Sequence, residues 1–287
     1  MAAKRRWDLE HISKSVNVLA FNSRGKSWHH DILCLSDIHF DNPHCDRQLL
    51  KRHLDLAVER DAPIIVVGDF FCAMQGKGDN RGSKADVRPE HQTANYLDSI
   101  VAEAIEWWLP YKNHLAIVGQ GNHETSVLDR KEVDLIQNLC FGLRQSGGIT
   151  QAASYASFLR VTLNANWGYA IDAYLHHGFG GGSQATRATN HWVQYMAQVR
   201  ADVYLAGHTH WKEVVPLRIA ELNVKRNITE RDIHCVRLGT YKDEYFTGDA
   251  LSGYHHIKGR GPRPQGGYFW RITKHSRLYA NSFLTCD

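Results

Sequence analysis

Asp31-Ile-Leu-Cys-Leu-Ser-Asp-Ile-His39 is a short apolar run that halts at polar, metal-friendly side chains. Runs of this kind, too short for a helix and apolar throughout, read as strands buried on both faces. The pattern returns at Pro63-Ile-Ile-Val-Val-Gly-Asp-Phe70 and at Leu115-Ala-Ile-Val-Gly-Gln-Gly-Asn-His-Glu124. Tyr169–Leu175 alternates like a strand and is followed by His176-His177-Gly178, and the apolar pattern returns at Val203-Tyr-Leu-Ala-Gly-His-Thr-His210. Polar clusters at the carboxyl ends of buried strands are where open α/β sheets hold ligands.

Around these runs the spacing predicts helices over 46–60, 91–109, 132–141 and 190–200. Met74–Arg88 is polar and rich in Gly, Asp and Lys, and is expected to be a surface loop. Gly178–Gly182 reads as a flexible break and Lys258–Gly267 as a basic loop. The later chain is dense in strand-like segments, at 158–164, 213–224, 233–238, 267–273 and 277–283. Strand–helix alternation first and strands afterwards predict an α/β chain, a sheet sandwich flanked by helices. No repeat or linker divides it, so one domain is expected over 1–287, with a motif-bearing core at about 31–240 and a strand-rich part at 211–287.

Each cluster offers chemistry. Asp37 and His39 are two residues apart and would share one side of an extended segment. Asp69 follows a glycine that permits a sharp turn, and Asn122 brings a neutral oxygen donor with His123 beside it as a candidate proton donor. His176 and His177 would face opposite ways, so one of them enters a given site, while His208 and His210 would share a face. Taken singly, each cluster suits a turn or a cap. Together they supply two Asp, one Asn and four His, an inventory suited to two divalent ions sharing a bridging carboxylate.

The ordered set D-x-H, G-D, G-N-H-E, H-G and G-H-T-H resembles the calcineurin-like metallophosphoesterase superfamily over roughly residues 31–240. The resemblance implies a four-layer α/β/β/α sandwich of two mixed sheets flanked by helices. It implies Asp37, His39 and His210 at a first metal, Asn122, His177 and His208 at a second, and Asp69 bridging both. His177 is preferred to His176 because the family's ligand directly precedes Gly. His123 would contact the scissile phosphate and protonate the leaving oxygen. The implied activity is metal-dependent hydrolysis of phosphate esters, with phosphodiesters of nucleic acid or nucleotides as the leading substrate. A phosphomonoesterase of a small metabolite or phosphoprotein, or a non-catalytic metal-bound scaffold, is the alternative. Two divalent ions are implied, Mn²⁺ first, with Fe or Zn²⁺ as alternatives. Two departures stand out. The second motif reads Gly-Asp-Phe-Phe-Cys without a downstream Asp or Asn, and the Gly-Asp-x-x-Asp-Arg-Gly of the protein phosphatases is missing.

Composition sets outer bounds. The 287 residues are 43% hydrophobic and 22% charged, which excludes disordered, collagen-like and disulfide-stapled classes. A net charge of +4 is mildly basic, compatible with an anionic substrate. No apolar stretch is long enough to span a membrane, and no apolar signal core follows the basic N-terminus, so a cytoplasmic protein is expected. Cys34, Cys45, Cys72, Cys140, Cys235 and Cys286 form no C-x-x-C pair and are expected as free thiols. Arg187, Lys258, Arg260 and Arg263 are candidates for phosphate contacts. Trp107, Trp108, Trp167, Trp192 and Trp211 are candidates for base stacking, Trp211 foremost because it follows His210.

Overall fold

The computed structural model describes residues 5–23, 25, 27–73, 86–163, 169–180, 189–246, 251, 253–275 and 278–286. Its strands are β1 (Trp7–Ser13), β2 (Val16–Phe21), β3 (Ser27–Leu35), β4 (Ile64–Val66), β5 (Leu115–Gly119), β6 (Gln151–Ala153), β7 (Ala156–Leu163), β8 (Tyr169–His176), β9 (Val203–Ala206), β10 (Glu213–Leu222), β11 (Ile228–Arg237), β12 (Tyr268–His275) and β13 (Leu278–Thr285). The main helices are α1 (Arg47–Glu59), α2 (Tyr96–Trp108), α3 (Asn122–Lys131), α4 (Leu135–Gln145) and α5 (Asn190–Gln198). The strands form two mixed sheets, ordered β1-β2-β7-β8-β9-β11-β10 and β13-β12-β3-β4-β5-β6.

Side-chain alternation along the strands builds the layers. On β3, Ile32 and Cys34 point into the space between the sheets, while Leu33 and Leu35 point to a helical layer. Ile65 and Val67 face inward in the same way, and Ile64 and Val66 outward. From the other sheet, Leu159, Val161, Ile171, Ala173, Val203 and Leu205 fill the middle. Tyr204 and Ala206, on the far side of β9, meet Trp192 and Tyr195 of α5. The expected α/β/β/α sandwich of two mixed sheets is therefore the observed architecture. Its parallel pairs β3–β4 and β4–β5 run as buried apolar strands must when helices cover the outer faces, whereas β8 alternates buried residues with exposed and part-exposed ones.

The helices follow from local chemistry. α1 starts where the Asp46 carboxylate accepts from the amides of Gln48 and Leu49, and it buries Leu50, Leu54 and Ala57 on one stripe. α2 sets Tyr96, Ile100, Ala104 and Trp108 four residues apart against the same core. It begins at Tyr96, later than the expected 91, because a 3₁₀ turn occupies Pro89–His91. The helix expected at 132–141 is α4, shifted to Leu135–Gln145 by an N-cap: the Asp134 side chain accepts from the Gln137 amide at 2.9 Å. α3 is unanticipated. Its sequence is polar and buries only Glu124 and Val127, so periodicity carries no signal for it. The β1–β2 hairpin and the short β6 are further additions, and β11 starts at Ile228 rather than 233. All six cysteines are free and buried. Among the described residues no helix is long and apolar enough to cross a membrane. The loop expected at 74–88 lies outside the described residues except for 86–88, and the break at 178–182 is described only to 180.

Candidate metal centre

Five loops leave the carboxyl ends of β3, β4, β5, β8 and β9 and converge. The backbone ties them first: Asp37 N donates to Gly68 O at 3.1 Å, His39 N to Asp69 O at 3.1 Å, and Gly207 N to His177 O at 2.9 Å. The local conformation differs from the expectation. Residues 36–39 are not extended. Asp37 and His39 are brought to one side by left-handed backbone, with φ of 51° and 49°. Asp69 (49°), His208 (72°) and His210 (58°) share this conformation, which is unfavourable for residues with a Cβ.

The side chains fall into two groups. In the first, His210 Nε2 lies 3.3 Å from Asp37 Oδ1 and 3.3 Å from His39 Nε2. In the second, His177 Nε2 lies 3.1 Å from Asp69 Oδ2 and 3.1 Å from Asn122 Oδ1, and His208 Nδ1 lies 2.7 Å from Asn122 Oδ1. The donor atoms of Asp37, His39 and His210, and those of Asp69, His177 and His208, each cluster tightly enough to hold one ion. The structure thus gathers all seven sequence-selected ligand candidates. His177 is fully buried, and its Nδ1 lies 2.9 Å from Val67 O, which leaves Nε2 facing the site. His176 turns the other way: its Nδ1 accepts from Gly178 N at 2.9 Å, and its ring packs against Tyr195.

His123 sits where α3 begins. Its amide donates to Asp69 Oδ1 at 3.0 Å, and its Nδ1 pairs with Cys72 O at 2.6 Å. Nε2 therefore points inward, 3.8 Å from Asp69 Oδ2, and the ring stands 5.0 Å from that of His39.

Burial pushes the Asp37 carboxyl up, but the charges of His210 and His177 outweigh it and hold the group below its ordinary value. Asp69 is likewise raised by burial and pulled well below its ordinary value by His177 and His123. Conversely, burial lowers His177 and His210, yet Asp69 lifts the first to about 9, and Glu244 with Asp37 lifts the second to about 10. Burial dominates at His39 and His208, and both fall. The carboxylates and imidazoles are thus paired with one another, and their donor atoms converge in two adjoining clusters. That donor chemistry, mixed nitrogen and oxygen, fits divalent transition metals.

Several supporting residues carried no legible signal. Glu124 lies within the quoted G-N-H-E motif without an assigned role. It accepts from Phe71 N at 2.7 Å and Gly121 N at 2.8 Å and so ties β4's loop to α3; burial and the Asp69 charge raise its carboxyl to about 8. Asp41 accepts from the amides of Cys72 and Ala73 and from Tyr96 Oη, which orients the carbonyl that holds His123. Glu244 lies 3.1 Å from His210 Nδ1. Of the substrate candidates, Trp108 and Trp192 are core residues and Trp107 packs against the core, while Trp167 and Arg187 lie outside the described residues. Trp211 is half-buried beneath the Arg263 guanidinium, 3.7 Å from its ring; Lys258 and Arg260 are exposed.

No family model and no curated protein matches this chain. Among solved structures it is similar to a conserved uncharacterized protein of Streptococcus pneumoniae TIGR4, described as a predicted phosphoesterase. That similarity has 14% identity and a TM-score of 0.32, and covers 91% of each chain. It is also similar to Vps29 of Entamoeba histolytica complexed with zinc, at 11% identity and a TM-score of 0.31, covering 90% of this chain and 99% of that one.

Proposed function

We propose that this chain is a calcineurin-like metallophosphoesterase that hydrolyses phosphodiesters of nucleic acid or nucleotides. Asp37, His39 and His210 would hold one divalent cation, Asn122, His177 and His208 a second, and Asp69 would bridge them. Mn²⁺ is the first candidate, with Fe and Zn²⁺ as alternatives. The observation that carries this reading is the backbone at the site. Five of the seven proposed ligands (Asp37, His39, Asp69, His208 and His210) hold positive φ. Backbone strain of this kind costs on the order of 1–3 kcal/mol per residue, persists only where the surrounding structure imposes it, and clusters at functional sites.

Bound cations would supply Lewis acidity to a phosphate oxygen and a nucleophilic water at neutral pH. The chain's own residues do the rest. Asp69 and Asn122 aim oxygens at the site, while the Asp37 carboxylate is held by the His208 amide at 2.9 Å. Cys72 O pairs with Nδ1 of His123, so Nε2 can carry a proton toward a departing oxygen.

The test is turnover of bis(p-nitrophenyl) phosphate against p-nitrophenyl phosphate by metal-stripped protein refilled with Mn²⁺, followed by digestion of linear DNA and RNA. Mn²⁺-dependent cleavage of the diester is expected. Cleavage of the monoester alone would replace the substrate class, and Mn²⁺ retention without turnover would favour a scaffold.

A further inference from the structure

We propose that Glu244 is a positioning residue for His210: it fixes which ring nitrogen of that histidine faces the metal centre. This rests on the reading of His210 as a metal ligand. The two nitrogens of His210 have different neighbours. Nε2 faces Asp37 Oδ1 and His39 Nε2, each at 3.3 Å, whereas Nδ1 lies 3.1 Å from Glu244 Oε2. The Glu244 contact is an ion-pair approach to Nδ1 without hydrogen-bond geometry. A carboxylate on that side favours the proton on Nδ1, which leaves the lone pair of Nε2 for a metal and raises the basicity of the ring.

Glu244 is itself held. Its Oε1 lies 2.9 Å from Lys242 Nζ, and its Oε2 lies 3.1 Å from His255 Nε2. The His255 amide donates to Glu244 O at 2.8 Å. The frame reaches the site through the backbone: Lys242 N donates to Thr240 Oγ1 at 3.0 Å, and Thr240 Oγ1 donates to Asp37 O at 2.8 Å. With an ammonium on one oxygen and two imidazoles on the other, the Glu244 carboxylate is anchored beside the His210 ring. His210 also carries a left-handed φ of 58°, so a second anchor on its ring holds the side chain against relaxation of that backbone. Glu244 lies in Gly239-Thr-Tyr-Lys-Asp-Glu244, outside every motif that carries the family resemblance.

Metal-stripped wild type and the E244Q variant, titrated with Mn²⁺ by calorimetry, test this. Wild type is expected to bind two ions. E244Q is expected to lose about 10–100-fold in affinity at one of the two steps, the magnitude typical of removing a ligand's outer partner. Equal affinity at both steps overturns the proposal, and so does an equal loss at both, which is the signature of general damage. If E244Q does not fold, E244D carries the test: an affinity between those limits at one step supports the proposal, and wild-type affinity overturns it. Wild type that binds no Mn²⁺ sinks the metal reading and this inference with it.

Discussion

His123 shows how much one ring can depend on its neighbours. Its amide is spent on Asp69, its Nδ1 on Cys72 O, and its Nε2 is what remains for chemistry. Replacing it with Ala should lower diester turnover by ~10²–10⁴-fold while leaving bound metal unchanged. Turnover measured beside metal content checks this, and undiminished turnover removes His123 from the reaction. His30, remote from the site, makes the opposite case of a histidine kept neutral. Burial, helped by the Arg6 charge, drops it to about 4, and its ring stacks on Phe21 at 4.5 Å. Since the folded protein resists protonating His30 and the unfolded chain does not, its stabilising contribution is whole above about pH 6.5. It fades as pH falls toward 4, by up to about 3 kcal/mol. The His30→Phe variant should flatten that part of the acid dependence, read from urea midpoints at pH 7.5, 5.5 and 4.5; an unaltered slope refutes it.

At the scale of elements, a strand end becomes a ligand platform only if the next residue can turn. Gly68 does this at φ +88°, against the His177 ring: a Cβ there would stand 2.6 Å from His177 Nδ1 and 2.8 Å from Gln120 O. Gly68→Ala therefore combines a strained φ with a push on a proposed ligand. Mn²⁺ affinity should fall at the step to which His177 contributes, with a stability loss of about 1–3 kcal/mol; wild-type affinity by titration contradicts this. The short strands β3, β4, β5 and β9 were legible from dense apolar runs. α3 was not, because its role is to aim the His123 amide at Asp69 and to tie Glu124 beneath the β4 loop. Polar contacts of that kind leave no periodicity to read.

For the molecule as a whole, the two sheets must stay in register for their loops to meet. Asp37, His39, Asp69 and Asn122 come from one sheet, and His177, His208 and His210 from the other. The interface between the sheets includes Ile32, Ile65, Ile117, Leu175 and Leu205, all buried. Truncating Leu205 to Ala should cost about 2–5 kcal/mol, measured by urea denaturation. It should also weaken Mn²⁺ binding at both steps, because His208 and His210 follow directly on β9. Full affinity in a folded but destabilised variant would show that the loops hold the site without the sheets.

The amino-acid sequence by itself determined which strands are buried, which residue types wait at their ends, and in what order. Those properties live in neighbouring residues and their alternation. Only the tertiary structure decided that Asp37 and His39 converge through left-handed backbone rather than an extended strand. It alone brought Glu244, 34 residues after His210 in the chain, to 3.1 Å from that ring. A conformation stabilised by contacts across two sheets, and a carboxylate held by a lysine and two histidines, are set by distant parts of the chain packing together. No local pattern of residues encodes them.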